Sequence, residues 1–427
     1  MVIIKKRTLL YLLFIIFFTI GFILPWINRG PGVKLGENFI PCNPKAKINP
    51  NKLYHLRLWD YDWPIPQGKA SYRSYLLQVI KDFQRIYPNI KIEFKLLDLN
   101  GPDELTQVLK KNEAPDIYCS AYTIPSFNFS KQIPVGPYLN KNEKDFYFTS
   151  IKKILTYHQT LCYFPRWIGP EFWVGNQPMI EASGLSISKI HTEGWTWDDL
   201  ISISANLPNK RYLLTGNIGP NGLLSQLIAN AGQATRIANL NSTIDLIENL
   251  RNEKAIPIDF GYNMLNRFLN KDAMILAGLR PPIYKFLLNR IQSQKLEWQP
   301  VLLPIPSKIR GKGTVIIESG VISIYRNRFT KGNDHLTAAI KFGQYLSCYP
   351  NMAPWEYLGF CPTSKEAYRV WMKNTYPNEQ LYNDLFRQSF FNDYTTLKPE
   401  PAEILFMIND FIGGKISRQA IQSNLSY

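Results

Sequence analysis

This chain of 427 residues has little of what most catalytic and metal centres are built from. Its four histidines, His55, His158, His191 and His335, fall in no H-E-x-x-H or other ligand spacing, which removes the common zinc-hydrolase reading. Its five cysteines, Cys42, Cys119, Cys162, Cys348 and Cys361, include no C-x-x-C, so neither a structural zinc site nor a thioredoxin-type motif is supported. An odd count leaves at least one thiol unpaired or intermolecular. Cys348 with Cys361 is one candidate disulfide, with connectivity open, and Cys119 and Cys162 sit in apolar runs that suit buried thiols. No G-x-S-x-G and no phosphate-cradling glycine loop occurs. Asp60 and Asp62 are two apart in a loop, too common a spacing to carry glycoside hydrolysis. Internal repeats and low-complexity segments are absent too. We therefore expect no enzyme, no catalytic residue, no metal and no cofactor.

What is present is a globular body. Hydrophobic residues make up 45% and charged residues 19%, a balance that fits a packed core rather than disorder, and the length suits two lobes. The 24 Tyr, 24 Phe and 10 Trp suit a protein that stacks on flat ligands, although core packing accounts for most rings in any protein. Net charge is +16, without a Lys/Arg cluster of nucleic-acid type, so no nucleic-acid partner is expected. Lys5-Lys6-Arg7 precede an uncharged stretch from Thr8 to Asn28, long enough to span a bilayer with the body outside. No small-x-small cleavage site and no lipidation cysteine follows it, so residues 1–28 read as an uncleaved signal-anchor, with a cleaved signal peptide as the alternative, the protein as membrane-anchored and extracytoplasmic, and residues 29–52 as a tether.

From about Leu53 the pattern alternates. Tyr54–Trp59 reads as a strand, and Leu76, Val79, Ile80, Phe83 and Ile86 recur at helical spacing until Pro88. Ile90–Leu96 is a strand, Asp103–Lys111 a helix and Ala114–Cys119 a strand, giving a parallel α/β order. Thr196 and Asp199 occupy reciprocal capping positions at a helix start. Thr314–Tyr325 reads as a strand bent at Glu318-Ser319-Gly320. Phe268-Leu269, the polar turn Asn270-Lys271-Asp272 and the run Ala273–Ala277 ending at Gly278 make a helix end, a turn and a core strand.

The order of these pieces resembles the extracellular solute-binding proteins of bacterial ABC transporters, the sugar-binding family 1 that is maltodextrin-binding-protein-like. The motifs are Phe83 to Pro88 with its strand, Pro115-Asp116-Ile117, Phe164-Pro165 through Trp173–Asn176, Gly184-Leu185, Thr196–Asp199, the Ala273-Met274 segment, Leu303-Pro304, Ala339–Leu346 and Gly359–Thr363. The chain departs from the pattern at Leu161-Cys162-Tyr163, where a Tyr-Gly pair is usual, and at Leu279-Arg280, where an aromatic is usual. The resemblance implies an α/β fold of periplasmic-binding-protein type II, with two lobes around a ligand cleft after the N-terminal transmembrane helix. Residues 53–166 with 304–348 would form lobe 1, and residues 167–303 with 349–427 lobe 2. It implies a monomer that captures a saccharide or related solute by hinge closure and hands it to ABC permease subunits. A membrane-tethered receptor or sensor module with the same fold is the alternative.

Ligand candidates are the polar and aromatic residues just past strand ends. These are Asp60, Tyr61, Asp62 and Trp63 in the first loop, Ser120 and Tyr122 after the Pro115-Asp116-Ile117 strand, and Arg166 and Trp167 on the first crossover. Arg280 stands in the place of the family's aromatic, either to pair with an anionic group or as a surface arginine. Glu318 and Ser319 lie at the strand bend, and Trp355 and Glu356 precede the terminal Gly-x-x-Pro-Thr.

Overall fold

The structure, a computed structural model, describes residues 31–371 and 407–425 except 67, 100, 102, 122–123, 206, 208–210, 218–221, 233–235, 312, 314–316, 351–352, 366, 369 and 409. Residues 1–28, read as a signal-anchor, lie outside them. Among the described residues no helix is long and apolar enough to cross a membrane.

The first described element corrects an expectation. Residues 32–41 are not an extended tether but a hairpin of β1 (Gly32–Leu35) and β2 (Asn38–Pro41). Gly36, at φ +64°, lets the two-residue turn Gly36-Glu37 close it. Leu35, Ile40 and the following Cys42 are buried in the same core as the next strands. Asn43 N donates to Asn333 Oδ1 and Thr337 Oγ1 donates to Ala46 O, so the chain up to about residue 46 is fastened to the body.

Next come β3 (Tyr54–Tyr61), α1 (Tyr72–Ile86), β4 (Ile90–Leu97), α2 (Glu104–Lys110) and β5 (Ile117–Cys119). The alternation of β3 buries Tyr54, Leu56, Leu58 and Asp60. Ser71 caps α1 by accepting from Ser74 N, and its buried face carries Tyr72, Tyr75, Leu76, Val79, Ile80 and Phe83. β3 pairs in parallel with both β4 and β5, as the β-α-β-α-β order requires. Short strands β6 (Gln132–Ile133), β7 (Thr156–Tyr157) and β8 (Thr160–Leu161) precede β9 (Phe164–Pro170) and β10 (Phe172–Asn176).

The second half supplies α3 (Trp197–Ser204), β11 (Tyr212–Gly216), α4 (Leu223–Ala229), α5 (Met264–Leu269), β12 (Ala273–Leu279), α6 (Pro281–Ser293), β13 (Pro300–Leu303), β14 (Ile317–Tyr325), α7 (Asn333–Ser347), α8 (Ala353–Leu358) and β15 (Cys361–Pro362). Thr196 and Asp199 form the expected capping box on α3. One sheet runs β15-β9-β14-β5-β3-β4, with β6 beside β14; the other runs β11-β12-β10-β13. The first buried cluster covers the first sheet and reaches the second through Phe172, Val174, Leu276, Leu279 and Leu302, whereas Trp173 on β10 belongs to the other large cluster.

A single residue, Glu171, separates β9 in the first sheet from β10 in the second. The chain returns between Leu303 and Ile317. These pairings move the expected lobe boundaries. Trp167–Pro170, placed in lobe 2 by sequence, stay in the first sheet because β9 pairs with Ile317–Gly320 of β14. Trp355, Phe360, Cys361 and Trp371 likewise pack in the first core, whereas Ile408, Phe411, Ile412 and Ile421 pack in the second.

Two glycines make the crossing geometry feasible. A Cβ on Gly320 would lie 2.2 Å from Trp167 Nε1, so only glycine lets the indole pass beside β14. Gly278, at φ +67°, would place a Cβ 2.7 Å from Leu223 N at the start of α4. The Gly that ends the Ala-Met segment therefore allows β12 to pass close against a helix start. The strand itself runs on to Leu279.

Candidate functional site

The ends of β3, β9 and β14 bring most of the expected site residues together, in two clusters. In the first, Asp60 and Arg166 form a bidentate pair: Arg166 Nη1 donates to Asp60 Oδ1 and Nη2 to Oδ2, both at 2.7 Å. Tyr72 OH donates to Asp60 Oδ2 at 2.6 Å, and Tyr61 N donates to Oδ1 at 2.8 Å. Arg166 also bonds the Tyr72 hydroxyl and lies 5.1 Å from the centroid of the Trp355 ring. Asp60 is 0% and Arg166 2% exposed, which matters because a charge so placed must be matched inside the protein.

Aromatic rings enclose that pair. Trp63 meets Trp167, Trp355 and Phe360 edge-on at 5.5, 5.7 and 5.5 Å between centroids, and Trp167 stacks on Phe360 at 3.8 Å. Trp63, Trp167 and Trp355 are all buried. These rings, expected to face a ligand, pack on one another in this conformation, since edge-to-face and stacked neighbours already cover their faces.

The remaining residues of the first group are dispersed. Tyr61 is half-buried, its hydroxyl 3.0 Å from that of Tyr118. Asp62 is exposed. Ser120 is buried and its Oγ accepts from Val321 N, tying β5 to β14. Ser319 Oγ donates to Trp167 O. Glu356 is half-buried on α8. Tyr122 lies outside the described residues.

The second cluster sits where the chain crosses between sheets. Arg280 caps the start of α6, and its Nε lies 2.8 Å from Glu318 Oε1 and 3.8 Å from Glu171 Oε1. Gln226 of α4 donates to Glu171 Oε2 at 2.9 Å and accepts from Trp173 Nε1 at 2.6 Å. Both glutamate side chains are fully buried, while Arg280 keeps 21% of its side-chain surface. This alters the reading of Arg280: its charge already meets carboxyl groups of the protein, rather than standing open to an anionic solute. Glu171 and Gln226 were not among the sequence candidates. The available signal was that Glu171 is the only charged residue in the apolar run Trp167–Asn176.

Burial pushes the Glu171 carboxyl well above the usual carboxylate range, and the neighbouring Glu318 pushes it the same way; Arg280 and the Gln226 hydrogen bond oppose them. Burial also raises Cys119 and Cys361 well above the ordinary thiol value and takes Cys348 to about 11. All five cysteines are unpaired, so the Cys348–Cys361 candidate is not formed. Among the described residues no cluster of three or more His, Cys, Asp or Glu is arranged to hold a metal ion.

A cavity of about 360 Å³ lies elsewhere, between the end of α1 and α7, lined by Phe83, Ile86, Tyr87, Glu143, Lys341 and Tyr345 among others. Those α1 residues flank the start of β4, so the cavity is at the opposite end of the first sheet from Asp60.

Neither a protein-family model nor a curated protein sequence matches the chain. Solved structures do. The sugar-binding protein MalE of the phytopathogen Xanthomonas citri superposes with a TM-score of 0.65 at 15% identity, over 87% of this chain and 95% of that one. The ABC substrate-binding protein Lmo0181 of Listeria monocytogenes, in complex with cycloalternan, gives 0.62 at 14% identity over 88% and 97%. The MalE domain of Bdellovibrio bacteriovorus, bound to maltotriose, gives 0.59 at 17% over 86% and 96%. At these identities the likeness establishes the fold: two α/β lobes of the periplasmic-binding-protein kind.

Proposed function

We propose that this protein is the extracytoplasmic solute-binding component of an ABC importer, which captures a carbohydrate-like solute between its lobes and delivers it to a membrane permease. The observation that carries this reading is the extent of the fold likeness, which spans 87% of this chain and 95% of a sugar-binding neighbour. The neighbours include proteins bound to cycloalternan and maltotriose. The role is binding by hinge closure about the crossing strands, without bond-making.

The solute we infer is hydroxyl-rich and uncharged. Arg280 is held by Glu318 and faces Glu171, so an acidic solute would compete with two carboxyl groups for one guanidinium. Among the sequence candidates, the exposed Asp62 and half-buried Tyr61 and Glu356 are the solute-facing groups in this proposal. We place the chain at the outer face of the membrane through its first 28 residues. The lack of a lipidation cysteine after that apolar stretch favours, as a second reading, a membrane-tethered receptor.

The test is a thermal-shift screen of the detergent-solubilised chain against neutral and acidic oligosaccharides, polyols and glycerol phosphodiesters. Stabilisation by a neutral saccharide is the expected result. No shift with any of them would sink the sugar-binding reading, and a response confined to acidic compounds would overturn the charge argument.

A further inference from the structure

We propose that Glu171 and Glu318 form a proton-binding site at the crossing strands, one proton being shared by the two carboxyl groups while Arg280 neutralises the remaining charge. The charged groups here come from three elements. Glu171 joins β9 to β10, Glu318 lies on β14 of the first sheet, and Arg280 starts α6 after β12 of the second. α4 presents the uncharged Gln226. Asp60 and Arg166, at the other end of β9, are matched to each other, and Lys285 further along α6 faces Glu356 on α8.

The argument is one of charge balance under burial. Two carboxylates and one guanidinium would leave a net negative charge on a cluster whose two glutamates are fully buried, an arrangement that folding penalises heavily. One proton makes the triad neutral. The donor geometry allows it: Glu171 Oε2 already accepts from Gln226, whereas Oε1 accepts no hydrogen bond among the described residues and lies 3.8 Å from Arg280 Nε, the same atom that meets Glu318 Oε1 at 2.8 Å. A protonated carboxyl supplies the donor that two carboxylates lack. The raised Glu171 carboxyl agrees with this. Because Arg280 follows β12 of the second sheet and Glu318 lies in the first, the Arg280–Glu318 ion pair joins the two lobes beside this proton.

The sign of the pH dependence follows. A carboxyl raised in the folded state favours folding fully below its unfolded value of about 4.3, and that contribution is lost as pH rises through the folded value. Across that window the folding equilibrium shifts by up to about tenfold per pH unit for one proton. The test needs no solute and so stands apart from the binding proposal. Unfolding of the full chain and of Glu171→Gln is followed by denaturant titration from about pH 5 to about pH 9. The variant's stability relative to the native chain should rise with pH, because glutamine imitates the protonated acid. A constant loss at every pH would mean that Glu171 is ionised and pairs with Arg280, and would overturn the proposal. Infrared spectroscopy of the native chain at neutral pH provides a second readout that survives misfolding of the variant. A carboxylic-acid C=O band should be present and should vanish in Glu318→Gln or Glu171→Gln; its absence from the native chain refutes the shared proton.

Discussion

Replacing Asp60 with alanine distinguishes a buried ion pair from a solute ligand. The substitution strands Arg166, which is 2% exposed and loses two 2.7 Å bonds at once. Removing one partner of such a pair costs about 3–5 kcal/mol, because the desolvated charge that remains has no counter-ion. For a lobe of this size each kcal/mol moves the midpoint by roughly 2–4 °C, so thermal unfolding should shift down by about 10 °C. Lys189 and Glu193 give the contrast: their side chains are 62% and 53% exposed at 3.9 Å, and Glu193→Ala should change stability by less than about 1 kcal/mol. The double replacement Asp60→Leu with Arg166→Met removes both charges and should recover more than half of the loss, as the cavity is already walled by Trp63, Trp167 and Trp355. Differential scanning calorimetry with a solute titration separates the outcomes. A fall of under about 2 °C together with lost solute binding would refute the reasoning and return Asp60 to the ligand surface.

Three further outcomes are expected. Gly278→Ala should cost about 1–3 kcal/mol in denaturant unfolding, since its φ of +67° and the 2.7 Å approach to Leu223 N both resist a Cβ; an unchanged midpoint would contradict the close β12–α4 contact. Thr196→Ala should lose about 1 kcal/mol by the same assay, because the Thr196–Asp199 box serves both backbone donors at the start of α3. Reductant should leave the melting temperature unchanged, and a thiol reagent should label the native chain slowly but the unfolded chain at all five cysteines, as burial keeps Cys119, Cys361 and Cys348 protonated.

Periodicity made the regular elements readable. The apolar face of α1, the alternation of β3 and the Thr196–Asp199 box are local signals, and the structure reproduces each within a residue or two. The hairpin of residues 32–41 escaped because strands of four residues with Pro and Gly nearby carry the same composition as a linker. The lobe boundary escaped because β9 and β10 form one apolar run, and only pairing with β14 reveals that it changes sheets at Glu171. The site candidates share a deeper ambiguity. A Trp or Arg at a strand end has the same sequence signature whether it meets a sugar or, like Trp167 and Arg166, meets Phe360 and Asp60. Buried charge matching depends on partners more than a hundred positions away, such as Glu171 and Glu318, which no local pattern encodes.

The hairpin at the start of the body also sets a length scale. With β1 starting at Gly32 and packed on the first core through Leu35, the chain from Asn28 covers four peptide steps to that strand, a reach of roughly 14 Å, where a tether to residue 52 would have allowed about 80 Å. A body anchored through the proposed membrane segment would therefore hug the bilayer with the first lobe nearest the lipid. Its encounters with a permease would be lateral, between neighbours in one plane, rather than those of a particle diffusing through the volume outside the cell.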